Sequence, residues 1–337
     1  MKVQSLSLLL LAGARMLLPL SAPQADDPAA AEGARVLSRA LEMEDIRANG
    51  SQPFLLRAKL TVEISKKQFR GTYTLAWESK SRWREEIKIA DFEQTLVGAN
   101  RGTWKLRSLD YSPLAILDLD TLLSMRSGAR SPARKIEKEK HLKKIGNRNA
   151  ECFKGLGEEF CFDSSTGLLV HWEAAASSVA YVPEYVEADY SDFSQWGEKQ
   201  FPFHLRSERR KSLVVDLSVT ELQPLPADYN GFAPPEHAEF WATCEQTGSQ
   251  SLRLRRRVQP QYPRGAQVMG QQGVLTLYAI IEEDGSPSHL KVIASAHPQL
   301  DQAALEAVRQ WRYEPPVCDG KPVRVETVID VLFVLGR

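Results

Sequence analysis

Charge of one sign is missing from this chain. Its 43 Lys and Arg are balanced by 43 Asp and Glu, so the formal net charge is zero. A protein built mainly to bind nucleic acid carries a basic surplus, and nucleic acid is therefore not an expected partner. Catalytic signatures are also absent. There is no phosphate-binding glycine loop, no nucleophile elbow and no Ser/His/Asp pattern. Cysteine is scarce, with 4 residues and no Cys-x-x-Cys pair, and the 6 His are scattered. Zinc sites need closely spaced Cys and His, so neither a metal nor a cofactor is implied, and no enzyme is expected. Beyond Ala25, no apolar run approaches the roughly 20 residues that a membrane-spanning helix needs.

What is there begins with an export signal. Lys2 supplies a positive start, Leu6 to Leu20 is mostly apolar, and Ala22-Pro23-Gln24-Ala25 precedes Asp26-Asp27. This pattern is a cleavable secretory signal over residues 1–25. The alternative is an inner-membrane anchor left uncleaved, which Arg15 disfavours by interrupting the apolar run. No Cys stands at the cleavage site, so a lipoprotein anchor is not expected. A periplasmic location follows, and oxidising compartments permit disulfides. Cys152 and Cys161 flank the Gly155-Leu156-Gly157 turn and are expected to pair, leaving Cys244 with Cys318. Four cysteines allow three connectivities, so sequence does not fix the pairing.

Residues 26–33 are rich in Ala, Asp and Pro and are expected to be mobile. Val36, Leu37, Ala40, Leu41 and Met43 then lie near helical spacing, and Asn49-Gly50 stops that helix. The period next changes to two. Leu56, Ala58, Leu60, Val62 and Ile64 alternate with polar residues, as do Tyr73, Leu75 and Trp77. Further alternating runs joined by short turns continue to Val219, with one apolar helical stretch between Ser112 and Met125. Arg126 to Lys144 is strongly basic but interleaved with Glu137 and Glu139, with no aromatic platform, and is expected to be solvated.

The expected fold class is α+β. Residues 34–235 form a curved antiparallel half-barrel with a helical lid. A linker with a Gln/Ser/Gly stretch from Glu245 to Ser251 spans 236–256, preceded by Pro224, Pro226, Pro234 and Pro235, and a β-β-α-β module occupies 257–337. In that module Val274 to Glu282 reads as a strand, Asp284-Gly285 as a hairpin turn, and Leu290 to Ser295 as its return. Leu300, Ala303, Ala304, Ala307, Val308 and Trp311 share one helical face. Val323 to Val334 is the last strand.

Gly71 to Trp77, Ser81 to Glu86, Val97-Gly98 and Thr103-Trp104 resemble the lipoprotein-carrier superfamily of LolA. That resemblance implies an incomplete barrel around a lid, with an apolar cavity able to take a lipid or acyl chain. The C-terminal residues carry a second resemblance. Gln259-Pro260-Gln261-Tyr262-Pro263, Asp284-Gly285, Leu300-Asp301, Ala303-Ala304, Trp311-Arg312-Tyr313-Glu314-Pro315 and Gly320-Lys321-Pro322-Val323 are similar to the TonB C-terminal domain family. The resemblance implies a module that captures an extended segment of an outer-membrane receptor or another envelope protein by strand addition. It points to Gln259, Gln261 and Tyr262, and to Val323, Val325, Thr327, Ile329 and Val331 of the last strand. A family energy transducer has a long Pro/Lys/Glu spacer before this module. Here a globular domain takes its place, so coupling to an ExbB–ExbD motor is left open. The expected role is that of a periplasmic TonB-like binding protein in TonB-dependent transport, or a lipid or lipoprotein carrier with a TonB-like docking module.

Overall fold

The computed structural model describes residues 28–124, 140–155, 157–175, 185–209, 212–242 and 252–335. The export signal, residues 126–139 of the basic stretch and Cys244 lie outside the described residues.

The chain opens with α1 (Pro28–Glu44), then β1 (Phe54–Ile64), β2 (Lys67–Ser79), β3 (Arg82–Ile89), β4 (Phe92–Ala99) and β5 (Gly102–Arg107). After α2 (Leu114–Ser124) come β6 (His141–Ile145), β7 (Arg148–Lys154), β8 (Glu158–Asp163) and β9 (Leu169–Ala175). They are followed by β10 (Tyr185–Trp196), β11 (Lys199–Arg209), β12 (Leu213–Pro224) and β13 (Glu239–Ala242). These strands make one antiparallel 13-stranded sheet in the order β13-β5-β4-β3-β2-β1-β12-β11-β10-β9-β8-β7-β6. Hairpin neighbours pair in sequence, as their short turns require. The exceptions are β1, which also pairs with β12 from Phe54↔Pro224 to Ile64↔Leu213, and β13, which pairs with β5.

One face of this sheet is apolar. Leu56, Ala58, Leu60 and Val62 of β1 are buried, but Ile64 is 48% exposed at the strand's end. Both helices pack on that face. Leu37, Ala40 and Leu41 of α1 and Ile116, Leu119 and Leu122 of α2 join the same buried cluster as Tyr73, Trp77, Phe160 and Leu217. Two buried charges fasten the helices. Glu44 at the end of α1 accepts a hydrogen bond from the Leu169 amide at 2.6 Å. Asp118 of α2 accepts from Arg209 Nε at 2.9 Å. Helix α1 starts at Pro28, so the segment expected to be mobile is helical from there onward. The bridge Cys152–Cys161 joins the directly opposed residues of β7 and β8.

The C-terminal part comprises β14 (Arg253–Arg256), α3 (Arg264–Val268), β15 (Gly273–Ile281), β16 (Pro287–Ala294) and α4 (Pro298–Val308). It ends with β17 (Arg312–Glu314), β18 (Val317–Cys318), β19 (Lys321–Pro322) and β20 (Val325–Phe333). The central sheet has the order β16-β15-β20, and α4 covers one face. Leu275, Leu277, Ala279, Ile329, Val331 and Phe333 point to Leu300, Ala304 and Val308. The helix begins two residues earlier than the apolar stripe suggests, because His297 caps it by accepting from Gln299 N and Pro298 occupies the first turn. It ends at Val308, and Trp311 lies beyond it, buried, with Nε1 donating to Val258 O at 2.8 Å.

The expected linker needs correction. Residues 239–242 form β13 on the edge of the large sheet, and 253–256 pair with β17. A four-residue strand is too short to show a period. Phe240 is nonetheless held against Trp104 at 5.1 Å, and Trp241 is buried.

The β15–β16 turn depends on Gly285 for two reasons. Its φ is +80°, and a Cβ there would stand 2.0 Å from Tyr313 O. Tyr313 N also donates to Gly285 O at 2.8 Å, tying the turn to β17. A left-handed non-glycine residue costs about 1–2 kcal/mol before any clash. Gly285→Ala is therefore expected to lower the unfolding free energy by more than about 2 kcal/mol in urea titration. An unchanged midpoint would show that the turn can reopen freely.

Candidate functional site

Among the described residues, β20 pairs on one side only, with β15, in unbroken register from Val325↔Ile281 to Phe333↔Gly273. Its other side is the edge of the three-stranded sheet. An edge strand presents unpaired N–H and C=O groups that an extended chain can join. Alternation decides what the side chains do. Ile329 and Val331 are buried against α4, Val325 and Thr327 are half-buried, and Val328 and Val334 are 48% and 51% exposed. The side chains available to a partner are thus Val328 and Val334, which the family resemblance did not single out. Val323 lies before the strand rather than in it, since the strand begins at Val325. Its amide is taken by Pro316 O at 2.8 Å, which closes the loop carrying β18 and β19.

The Gln-Pro-Gln-Tyr-Pro stretch is irregular, with Gln259 and Gln261 exposed. Tyr262 is half-buried and acts as a clamp. Its ring meets Phe333 edge-on at 5.4 Å, and its hydroxyl donates to Gln271 O. Cys318 is disulfide-bonded; the cysteine expected to hold it, Cys244, lies outside the described residues.

The face of the central sheet turned away from α4 is not open to solvent. Tyr278 and Ile280 of β15 are buried there with Trp241 of β13, and Tyr111 packs alongside. Glu326 of β20 is the polar centre of this contact. It accepts from Arg107, from Lys105 at 2.9 Å and from the Tyr278 hydroxyl at 2.8 Å. Burial alone would raise its pKa. The hydrogen bonds and charges of Arg107 and Lys105 outweigh that and hold it down at about 2. Burial raises the Tyr278 pKa, and the Glu326 charge raises it further. Arg324 bonds Glu239 at 2.8 Å and lies over the Trp241 ring at 4.2 Å. A cleft of about 340 Å³ runs along this contact, lined by Lys105, Arg107, Trp241, Tyr278, Arg324 and Glu326. The only sequence hint was the polar alternation of Glu326 and Asp330. Nothing in it named Lys105, Arg107 or Trp241 as their surroundings.

Beneath α2, the pocket bordered by Ile46, Leu56, Tyr73, Leu75, Leu123 and Phe201 holds about 20 Å³. That is room for one water. The apolar residues around it belong to the cluster that α1 and α2 cover. Glu85 lies nearby, buried, accepting from the Tyr73 hydroxyl at 2.9 Å, and burial raises the pKa of both. Among the described residues, no helix is long and apolar enough to cross a membrane.

Fold and topology define an α+β protein whose C-terminal three-stranded sheet has β16 and β20 at its edges. Residues 258–335 match the family of the Gram-negative bacterial TonB protein C-terminal. The match falls on the C-terminal module and leaves the large sheet outside it. Protein TonB of Vibrio cholerae is 35% identical over 79 residues, which make up 23% of this chain and 32% of that protein. The chain thus spans about a third of the length of the curated relative it matches. Among solved structures, the TonB C-terminal domain of Pseudomonas aeruginosa is 28% identical, with TM-score 0.23 over 26% of this chain and 88% of that one. A LolA superfamily protein from Nitrosomonas europaea is 12% identical, with TM-score 0.35 over 57% of this chain and 94% of that one. A DUF1329 family protein from Desulfovibrio piger is 11% identical, with TM-score 0.41 over 62% and 98%.

Proposed function

We propose that this chain is an exported, non-enzymatic TonB-like protein that captures an extended segment of an envelope partner as a fourth strand beside β20. The observation that carries this reading is the position of β20 at the sheet edge, with Val328 exposed on it and Val334 exposed just past its end. The partner's backbone supplies the hydrogen bonds, and alternate apolar side chains on it meet the two valines. An outer-membrane receptor segment fits this chemistry. The large domain acts as the scaffold: an incomplete barrel under its two helices, packed against the other face of the module. Transfer of force from an ExbB–ExbD motor is no part of this reading. The Cys152–Cys161 bridge favours an oxidising compartment, in keeping with an export signal at residues 1–25.

The test is an NMR titration of the protein with a synthetic receptor-derived peptide of extended, alternating sequence. Amide shifts are expected along 325–334, with Val328→Lys weakening the affinity at least about tenfold. A lysine on an edge blocks added strands at little cost to the fold, so stability should stay within about 0.5 kcal/mol. Shifts confined to residues outside β20 would sink the strand-addition reading.

A further inference from the structure

The apolar face of the large sheet is filled, but its opposite face carries an arrangement that the binding role does not use. Glu159 of β8, Glu173 of β9 and Glu187 of β10 are direct cross-strand partners. Like charges set opposite one another repel. One row along, Cys161, His171 and Asp189 are partners in the same way. His171 is only 6% exposed. Its Nδ1 lies 2.7 Å from Asp189 Oδ1. A carboxylate only accepts, so Nδ1 donates and the other ring nitrogen faces the opposite way. That nitrogen, Nε2, is buried and has no hydrogen-bond partner among the described residues. Ligand atoms of Glu159, His171 and Glu173 lie within 4.8 Å of one another.

We propose that His171 Nε2 and the carboxylates of Glu159 and Glu173 bind one divalent transition-metal ion, with Asp189 orienting the imidazole. A buried Nε2 without a partner inside this acidic cluster is unfavourable unless a proton or a metal ion sits on it. An imidazole with carboxylates suits zinc-like ions, at about 2.0–2.2 Å from each ligand. A carboxylate on the far nitrogen of a ligating histidine fixes the ring and raises its basicity. Charge counting agrees. Lys143 and Lys154 hold Glu159 at 2.8 and 3.4 Å. Arg206, opposite Asp189, is bonded to Glu208. Glu159, Glu173, Glu187 and Asp189 against the two lysines leave a net charge of −2, the complement of a divalent ion. Lys143 and Lys154 are 39% and 52% exposed, so either can swing into water when an ion displaces it. A second grouping, His141 with Cys152 and Glu159, is excluded as a full ligand set because Cys152 is bridged to Cys161.

The test is zinc uptake by the full chain, purified without a histidine tag and stripped with chelator. Equilibrium dialysis should give one Zn²⁺ per chain, with X-ray absorption showing nitrogen and oxygen ligands and no sulfur. His171→Ala and Glu173→Gln should each lose the ion. The surface change Asp189→Asn, which keeps the side chain's shape, should weaken binding about tenfold. Lys143→Met should tighten it, an effect that a merely structural cluster would not produce. No stoichiometric uptake by the unaltered chain overturns the proposal. So does uptake that survives His171→Ala, or a zinc site with sulfur ligands.

Discussion

Replacing Arg209 by methionine is expected to destabilise the protein by about 3–5 kcal/mol, the cost of leaving a buried charge without its partner. Asp118 is the charge in question. It is 2% exposed on the helix α2, and Arg209 is the group that bonds both of its carboxylate oxygens. Burial raises the Asp118 pKa above its ordinary 3.8, and the Arg209 hydrogen bonds and charge pull against that rise. Without Arg209 the pKa rises further. A carboxyl whose folded pKa lies above its unfolded value destabilises once pH exceeds the unfolded value. The deficit of the variant should therefore shrink as pH is lowered towards 3.8. Adding Asp118→Leu should restore most of the loss, since a well-packed apolar pair often equals a buried ion pair. Urea unfolding of both variants across pH would measure this. A double variant as unstable as the single one would mean that Arg209 acts through packing rather than charge.

The second large effect belongs to Glu326. Its folded pKa of about 2 lies below the ordinary 4.5. A depressed carboxyl contributes stability that is complete above the unfolded pKa and is lost as pH falls through the folded one. The window is therefore from about pH 4.5 down to about 2. The difference corresponds to about 3 kcal/mol. That figure is a ceiling, because burial pulls the Lys105 pKa down despite its bond to Glu326. Glu326→Gln should remove this contribution at neutral pH and flatten the acid limb of the stability curve. The loss should fall on the contact between the large sheet and the C-terminal module, exposing Trp241 to quenchers. Equal acid sensitivity in the variant and the unaltered protein would assign the acid limb to other carboxylates.

Much of the architecture was legible residue by residue. The alternation of Leu56 to Val62 and of Tyr73 to Trp77 marked strands, because a pleated chain turns every second side chain to the same face. The helical spacing from Leu300 to Val308 marked α4, and Asp284-Gly285 marked the turn between β15 and β16, for which the +80° φ gives the reason. The C-terminal module was legible as a unit through its motif residues. Cys152 and Cys161 were close enough in sequence for their pairing to be expected. The edges of these elements were less legible. Helix α4 depends on the His297 cap for its start, and β20 loses Val323 to the carbonyl of Pro316. Both are hydrogen bonds, which leave no periodic trace.

The candidate site was legible only in part. The last strand stood out, but the side chains it offers to a partner did not. Val325, Ile329 and Val331 lie in the core that α4 covers, Val323 precedes the strand, and Val328 and Val334 are exposed. Which face is covered depends on where the helix lies, and no single strand encodes that. Tyr262 belonged to the module as expected, as a clamp on Phe333.

By itself the sequence determined the class of each segment, the TonB-type character of residues 258–335 and the absence of familiar catalytic motifs. Those properties rest on periods of two or 3.6 residues and on turn chemistry, which act within a few neighbouring positions. The tertiary structure alone decided that β1 meets β12 and that β13 joins the large sheet. It also decided that Glu326 finds Arg107 across 219 positions of chain. Such contacts are chosen by the packing of whole faces and by the need to pair each buried charge, and local pattern carries no record of the partner.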